Sequence, residues 1–514
     1  MPLPRRSLAL LLILGQAQVL AATAPLPKPK LNLDPPADLI PQGPRNGSLG
    51  QSPDQDQPLP EIGDYSGTVM TPLQEKELGA AFFRSLHNET QVSEDPEIAE
   101  YIQTIGQKLA QNSANPALPF HFFVVVEPTI NAFAGPGGYI GVNSGLILTS
   151  ESESELASVL SHEIAHVTQR HLYQAFQAAG RLTLPTAAAM LAAILIGAKT
   201  GSAQAGQAAI IAAQAASTQY QINFTRDNEA EADRVGMQTL ARSEYDPRSM
   251  PSFFEKLQQS TRYAGRNLPE FLLTHPVTVS RIADTRARSE QFPFRQYPDS
   301  LPYQLVRAKL RAQTSASPAD AVGYFRAIAG QGTRQQRDVA RYGLALALIA
   351  DNKPAQAKPM LQNLAMQYAD YPQFLTALAH CEAESGDRDQ ALQIYEMANQ
   401  RFPDNRAITL NYVRTLLTRR RADSARKLLQ QYSRHHPSTP EVYALLAETY
   451  AGLNNPPESH RYLAEYYYAS GQTRAAIQQL RIARRSGGDD YYVNAVIDER
   501  LRQFEQEEAE RRKR

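Results

Sequence analysis

Two histidines four residues apart, with a glutamate directly after the first, form the run His162-Glu163-Ile164-Ala165-His166. On a helix, positions i and i+4 lie one turn apart on one face, so both imidazoles can reach one metal ion. Glu163 sits beside them, rotated round the helix but near enough to hold a water bound to that ion. Leu156, Leu160, Ile164 and Val167 supply an apolar stripe for the opposite side. A second constellation, Asn228-Glu229-Ala230-Glu231-Ala232-Asp233, follows, with Glu229 63 residues beyond His166. Glu229 and Asp233 again share one helical face. A site of two histidines and one carboxylate leaves an open position on zinc for water or substrate, so Glu229 is the expected third ligand. Asp233 can then accept a hydrogen bond from a ligand imidazole and fix its tautomer. Glu231, two positions from Glu229, is expected to point elsewhere.

Two further histidines are weaker candidates. His171 lies five residues after His166, which on a continuing helix is a rotation of about 140°. It is expected to be packed or hydrogen-bonded structurally, not a ligand. His275 precedes Pro276, which holds it out of the helical region and suggests a histidine projecting from a loop or a helix entrance.

The elements that position these residues are mostly helical. Residues 73–90 and 95–113 read as helices. The run 121–127 (HFFVVVE) reads as a strand, Gly135-Pro136-Gly137-Gly138 as a turn and residues 139–142 as a second strand, together a hairpin-like unit. The helix that carries His162 opens on Ser150-Glu151-Ser152-Glu153-Ser154-Glu155, where Ser150/Glu153 and Ser152/Glu155 both fit a capping box. Residues 182–216 are Ala-rich and interrupted by Pro185, Gly197 and Lys199. They fall short of a bilayer span and read as a buried helical hairpin, with contact to a membrane surface as the rival reading.

The N-terminus has Arg5 and Arg6, a short apolar run from Leu8 to Leu20, and then Ala22-Thr23-Ala24. That is the pattern of a secretory signal cleaved near Ala24. Ten prolines in residues 25–60 make the segment 25–66 a linker without a core. Lys+Arg and Asp+Glu are 52 each, so no overall basic field exists to hold nucleic acid. A single cysteine, Cys381, excludes an internal disulfide framework.

From about residue 300 strand signals vanish and a repeat appears. Ala391 and Ala425 lie 34 residues apart, as do Pro403 and Pro437. Gly386, Tyr395 and Pro403 stand where a tetratricopeptide repeat places its glycine, large residue and terminal proline. About four such helix pairs are expected to stack into a curved solenoid. The last fifteen residues are expected to form a frayed, solvated helix. The fold expected is therefore α+β and mostly helical. It comprises a gluzincin-like metallopeptidase domain with a small β-sheet over residues 67–295 and an all-α repeat solenoid over 296–514.

Taken together, the N-terminal signal, HEIAH, NEAEAD, LLTHPVTVSRIAD (272–284) and the C-terminal repeats resemble the BepA-type periplasmic zinc metalloproteases. The resemblance runs from about Thr71 onward and omits the proline-rich linker. It implies one Zn2+ per chain on His162, His166 and Glu229, with Glu163 as general base. It also implies that His275 occupies the fourth zinc position at rest, and that Arg281 helps to position that loop or the transition state. Asn131, Ala132 and Phe133 resemble the family's substrate-binding edge strand. The implied function is proteolysis and chaperone-like assistance in outer-membrane β-barrel assembly. The partners implied are unfolded or misassembled outer-membrane proteins, and the barrel assembly machinery docked on the repeats. Two rival readings are a repeat adaptor with little proteolysis and a protease for lipoproteins or small peptides.

Overall fold

The computed structural model describes residues 71–174, 226–263, 270–436, 438–487 and 490–512. The signal at 1–24, the linker at 25–66, the Ala-rich run at 182–216 and Pro437 lie outside them.

The first two helices, α1 (Pro72–Glu89) and α2 (Pro96–Gln111), start where sequence capping places them. Thr71 and Gln74 form a reciprocal capping box on α1, and Asp95 accepts from the Glu97 and Ile98 N–H groups of α2. A three-stranded sheet follows: β1 (His121–Val125), β2 (Ala132–Ala134) and β3 (Tyr139–Asn143), in the order β1-β3-β2. The hairpin expected from the two long runs is not formed. β1 and β3 are parallel, and the short β2 between them pairs antiparallel to β3. Parallel neighbours need a crossover, and residues 126–138 supply it. Within it Gly137 and Gly138 have φ of 68° and 76°, the left-handed region that glycine adopts without a Cβ clash. β3 becomes the buried centre and β2 the edge.

Helix α3 (Ser144–Thr149) leads into α4 (Glu153–Thr168), which carries both histidines of the pentapeptide. Every residue from Glu153 to His166 is buried, so α4 is a central helix with no solvent face. Of the two expected capping boxes, neither closes fully. Ser152 caps α4 by accepting from Glu155 N–H at 3.2 Å, but Glu155 reaches back to Glu151 N–H instead. Ser150 turns the other way and donates to Leu146 O at the end of α3.

Helix α5 (Arg226–Arg242) lies against α4. A Cβ on Gly236 would sit 3.0 Å from Ser161 O and 3.1 Å from His162 Cα, so only glycine permits this approach. Next come α6 (Ser249–Tyr263), the five-residue α7 (Glu270–Thr274) and α8 (Val279–Ser289). The core beneath them joins Ile98, Ile102, Val142, Leu160, Ile164, Phe253 and Phe271.

Twelve further helices follow in the described residues: α9 (Leu301–Thr314), α10 (Pro318–Ile328), α11 (Arg334–Ala350), α12 (Pro354–Gln367), α13 (Pro372–Glu384), α14 (Arg388–Arg401), α15 (Arg406–Thr418), α16 (Ala422–Tyr432), α17 (Pro440–Gly452), α18 (Pro456–Ala469), α19 (Thr473–Ser486) and α20 (Tyr491–Arg512). Helices α12, α14, α16 and α18 start at 354, 388, 422 and 456, a constant step of 34 residues. The turn inside each of these four pairs holds one left-handed residue: Asn352, Gly386, Arg420 and Asn454, again 34 apart. Four equivalent helix pairs are thus present, from α11–α12 to α17–α18.

The solenoid and the α2–α4 region share packing and polar contacts. Tyr303, Val306 and Leu310 of α9 lie in the same core as Ile98 and Leu160. Lys309 reaches Asp95 at 2.8 Å and Glu97 at 2.7 Å at the start of α2. Asn405 reaches Glu100, and Arg84 of α1 reaches Glu507 of α20. The C-terminal helix is therefore not merely frayed: Phe504 is buried and stacks on Tyr468 with centroids 4.0 Å apart.

Candidate metal centre

His162 and His166 project from one face of α4, with their Nε2 atoms 3.0 Å apart. Glu229, on the first turn of α5, brings Oε2 to 3.5 Å from His162 Nε2 and Oε1 to 3.5 Å from His166 Nε2. His275 enters from the other side, directly after α7. Its Nδ1 lies 2.9 Å from Glu229 Oε1 and 3.4 Å from His162 Nε2. One ligand atom from each of these four buried residues falls within a 4.8 Å sphere of mutual separation. Among the described residues this is the cluster suited to a metal ion.

The chemistry of the donor set fits a cation. Three imidazole nitrogens and one carboxylate converge from different elements with no bulk water between them. Their lone pairs oppose one another unless something positive lies at the centre. Among the protein's own groups a proton partly serves. Burial works against a charged His162, but Asp233 and Glu229 outweigh it and hold its pKa up, at about 9. Burial, and then the charge on His162, push His166 well below the usual histidine value. Glu229 feels the same burial, but His275 and His162 outweigh it and keep the carboxyl ionised.

Glu163 stands next to this cluster, 3.5 Å from His275 Nε2. It is fully buried, and neither of its oxygens makes a well-formed hydrogen bond within the protein. Burial raises its pKa, opposed by His275 and His162 and, more weakly, by the Ala134 backbone of β2. A carboxyl raised in this way is poised to exchange a proton.

Asp233, one turn beyond Glu229 on α5, places Oδ1 3.0 Å from His162 Nδ1, with the ring N–H somewhat off the oxygen. Arg281 holds both Glu229 and Asp233 of α5. It donates to Asp233 through Nε at 2.8 Å and Nη2 at 2.7 Å, and pairs with Glu229 Oε2 at 2.6 Å. It also donates to Pro276 O at 3.0 Å, which ties the segment after His275 to α5. Thr278 caps α8 by accepting from Arg281 N–H, setting where that side chain leaves the helix. Phe271 belongs to the site without any motif that marks it in the sequence. Its ring stacks on His275 at 4.8 Å, and its N–H donates to Ile130 O beside the edge strand.

Asn131, Ala132 and Phe133 lie at β2, the edge of the sheet that borders α4. Their side chains are buried, and Phe133 packs into the cluster of Phe82 and Phe123. Only backbone groups of β2 remain for pairing with an added strand. His171 lies outside the four-residue cluster, but its Nδ1 is 2.9 Å from His166 Nδ1. Glu231 also lies outside the cluster, and its Oε2 is 3.3 Å from His171 Nε2.

Comparison with known proteins agrees with this geometry. Residues 96–289 match the model of peptidase family M48, and residues 382–449 match a tetratricopeptide repeat. A putative beta-barrel assembly-enhancing protease of Vibrio cholerae is 37% identical over 421 residues, covering 82% of this chain and 86% of that protein. The beta-barrel assembly-enhancing protease of Escherichia coli is 32% identical over 448 residues, 87% of this chain and 91% of the relative. A mitochondrial metalloendopeptidase of Arabidopsis thaliana is 30% identical over 188 residues, 37% of this chain and 35% of its own length. A buried three-histidine, one-glutamate cluster built around HEIAH thus sits in a chain whose relatives extend over nearly its full length, and the chain belongs to the beta-barrel assembly-enhancing proteases of metallopeptidase family M48.

Proposed function

We propose that this chain is a zinc endopeptidase of the periplasm that also assists, chaperone-like, in outer-membrane β-barrel assembly, and that it degrades proteins that fail to assemble. The observation that carries the reading is the convergence of His162, His166, Glu229 and His275, with the buried Glu163 carboxyl beside them. Zinc suits two or three imidazoles and a carboxylate. His162, His166 and Glu229 would hold it, and when bound it supplies positive charge that polarises a peptide carbonyl and acidifies water.

The chain's own residues do the rest. Glu163 takes the proton of the attacking water and hands it to the leaving amine. Asp233 orients His162, and Arg281 holds Asp233 and Glu229 in place. Substrate backbone pairs along β2 at Asn131, Ala132 and Phe133, which recognises an extended chain with little regard to its side chains. Unfolded β-barrel strands are substrates of that kind. His275 fills the fourth position at rest and keeps the protease quiet until α7 and the following residues withdraw. The names of the full-length relatives and the repeat helices support a solenoid over residues 296–514 that binds clients or assembly machinery, joined to a peptidase domain over 67–295. Secretion by the N-terminal signal accounts for the compartment.

The test is cleavage of a urea-denatured outer-membrane barrel protein by the purified chain. Wild type should cleave slowly, His275→Ala faster and Glu163→Gln not at all. A slower His275→Ala removes the restraint and gives His275 a role in catalysis or folding. Three equally inactive zinc-loaded proteins favour the repeat adaptor over the protease.

A further inference from the structure

The turn that ends α4 has an unusual construction. The helix stops at Thr168, and Arg170 then takes φ of 58°, a left-handed conformation that costs a residue with a Cβ roughly 1–2 kcal/mol. The turn is pinned by Arg170 pairing with Glu75 at 3.1 Å and lying over the Tyr173 ring at 5.3 Å. Its consequence is local. Had the helix run on, residue 171 would point about 140° away from residue 166. The reversal at Arg170 instead folds His171 back onto the rear of His166.

The hydrogen positions there follow from one constraint. If His166 offers its Nε2 lone pair to the metal, its proton must sit on Nδ1. That N–H points at His171 Nδ1, 2.9 Å away, which must therefore accept. The His171 proton is then on Nε2, aimed at Glu231 Oε2 at 3.3 Å. Glu231 is steadied in turn by Arg234 at 3.4 Å. A single tautomer assignment satisfies each contact in the series. The arrangement parallels His162, whose Nδ1 faces Asp233 backed by Arg281, but uses an imidazole where His162 has a carboxylate. His171 is fully buried, and the Glu231 side chain is 40% exposed.

We propose that His171, oriented by Glu231, is a positioning residue that fixes the tautomer and ring direction of His166 and thereby tightens metal binding. This rests on the reading of His166 as a metal ligand. It requires no contact of His171 with metal or substrate. Asparagine can replace it in part, because its Oδ1 lies where the imidazole Nδ1 lies and can accept from His166. Alanine cannot.

The experiment measures zinc affinity of the full chain by competition with a chromophoric chelator, and thermal melting in EDTA as a fold control. Removing a partner of this kind weakens metal binding about 10–100-fold, the loss expected for His171→Ala. His171→Asn should stay within several-fold of wild type, roughly the residual expected when one good acceptor is kept. Glu231→Ala should lose less than His171→Ala, and should add nothing further in the double variant, because both act through the same ring. Zinc affinity of His171→Ala close to wild type overturns the proposal. So does His171→Asn binding as weakly as His171→Ala, which would mark a packing role. A wild-type chain that binds no zinc overturns the metal reading itself, and this proposal with it.

Discussion

Among the described residues Arg281 is the guanidinium that holds Glu229 and Asp233, so its removal is the sharpest test of how the site is held. Replacement by methionine keeps the length of the side chain and removes the charge. Four contacts go: two to Asp233, one to Glu229 and one to Pro276 O. Asp233 and Glu229 are then left with relative exposures of 1% and 2% and a missing counter-charge. Breaking a buried pair in this way costs about 3–5 kcal/mol, because one charge stays behind in low dielectric. The direction of the pKa values agrees: burial alone would raise Asp233, and His162 and Arg281 overcome it. The assay is hydrogen exchange of the α5 and α8 amides in EDTA, read against the far helices α17 and α18 as an internal control. At about 1.4 kcal/mol per tenfold, Arg281→Met should lose two to three and a half orders of magnitude of protection in α5 and α8. The second step decides the reasoning. Asp233→Asn placed in the Arg281→Met background removes the stranded charge and should recover much of the loss. A single variant that costs under about 1 kcal/mol, or a double variant less protected than the single, would show that Arg281 does not act as counter-ion there.

Two further predictions concern the rest of the chain. Lys309→Met strips the cation shared by Asp95 and Glu97 and should destabilise the α2–α9 contact by about 3–5 kcal/mol at pH 7, measured as a shift in thermal midpoint. The pH dependence should also change, through Asp95. In wild type, burial raises Asp95 but Lys309 outweighs it, so its depressed pKa gives stability that is present above its unfolded value of about 3.9 and lost as pH falls below it. Burial already raises Glu97 in the wild type despite Lys309; without Lys309 burial raises Asp95 as well, so the variant should gain more stability than wild type as pH falls from 7 towards 5. A variant with the wild-type profile would refute this. In the solenoid, Arg420 occupies the left-handed turn position at φ 56° that Gly386 fills one repeat earlier. Arg420→Gly should therefore leave stability unchanged or raise it by up to about 1 kcal/mol, while Gly386→Arg should lower it by about 1–2 kcal/mol, both read from melting curves.

Legibility of the site follows from helical geometry. HEIAH and NEAEAD each announce residues four apart, and four-residue spacing means one face, so spacing alone groups His162 with His166 and Glu229 with Asp233. That α4 and α5 meet depends on Gly236, and a lone glycine in a helix says nothing of what it approaches. His275 is readable as a histidine held out of helix by Pro276, but its destination is not. The edge strand β2 has three residues, Ala132-Phe133-Ala134, too few to show alternation. The glycine turn after it is indeed the bend of a hairpin, but of β2 with β3, and without a visible β2 it reads as the bend between β1 and β3, which are parallel. His171 escapes for a related reason. A rotation of 140° assumes an unbroken helix, and a left-handed Arg170 breaks it without the glycine that would signal a stop. The 34-residue repeat is visible where Gly386 and Pro403 mark it. It is faint where Asn352, Arg420 and Asn454 fill the same turn, because side-chain type is a weak guide to a backbone conformation that context enforces.

The four candidate ligands are not held equally, and the difference bears on which of them can leave. His162 and His166 stand on α4, buried along its length. Its start is clamped where the solenoid begins: Glu153 accepts from Ser300 N–H at 2.9 Å and from Tyr101 OH at 3.0 Å, and its own N–H donates to Asp299. Glu229 stands on a seventeen-residue helix locked to α4 through Gly236 and to α8 through Arg281. Withdrawing any of these three disturbs a packed helix, and packed cores resist small displacements. His275 follows a helix of only five residues. Besides its place in the cluster, its anchors include its own N–H donated to Phe271 O, a ring stack with Phe271, the Phe271 N–H to Ile130 O, and the Pro276 O held by Arg281. Two of them touch elements the proposed chemistry uses, the edge of the sheet at Ile130 and the guanidinium on Glu229. A peptide pairing along β2 would compete for the very region on which α7 rests. If His275 is the resting ligand, a substrate that pairs along β2 can favour its release through differential contact at this edge strand.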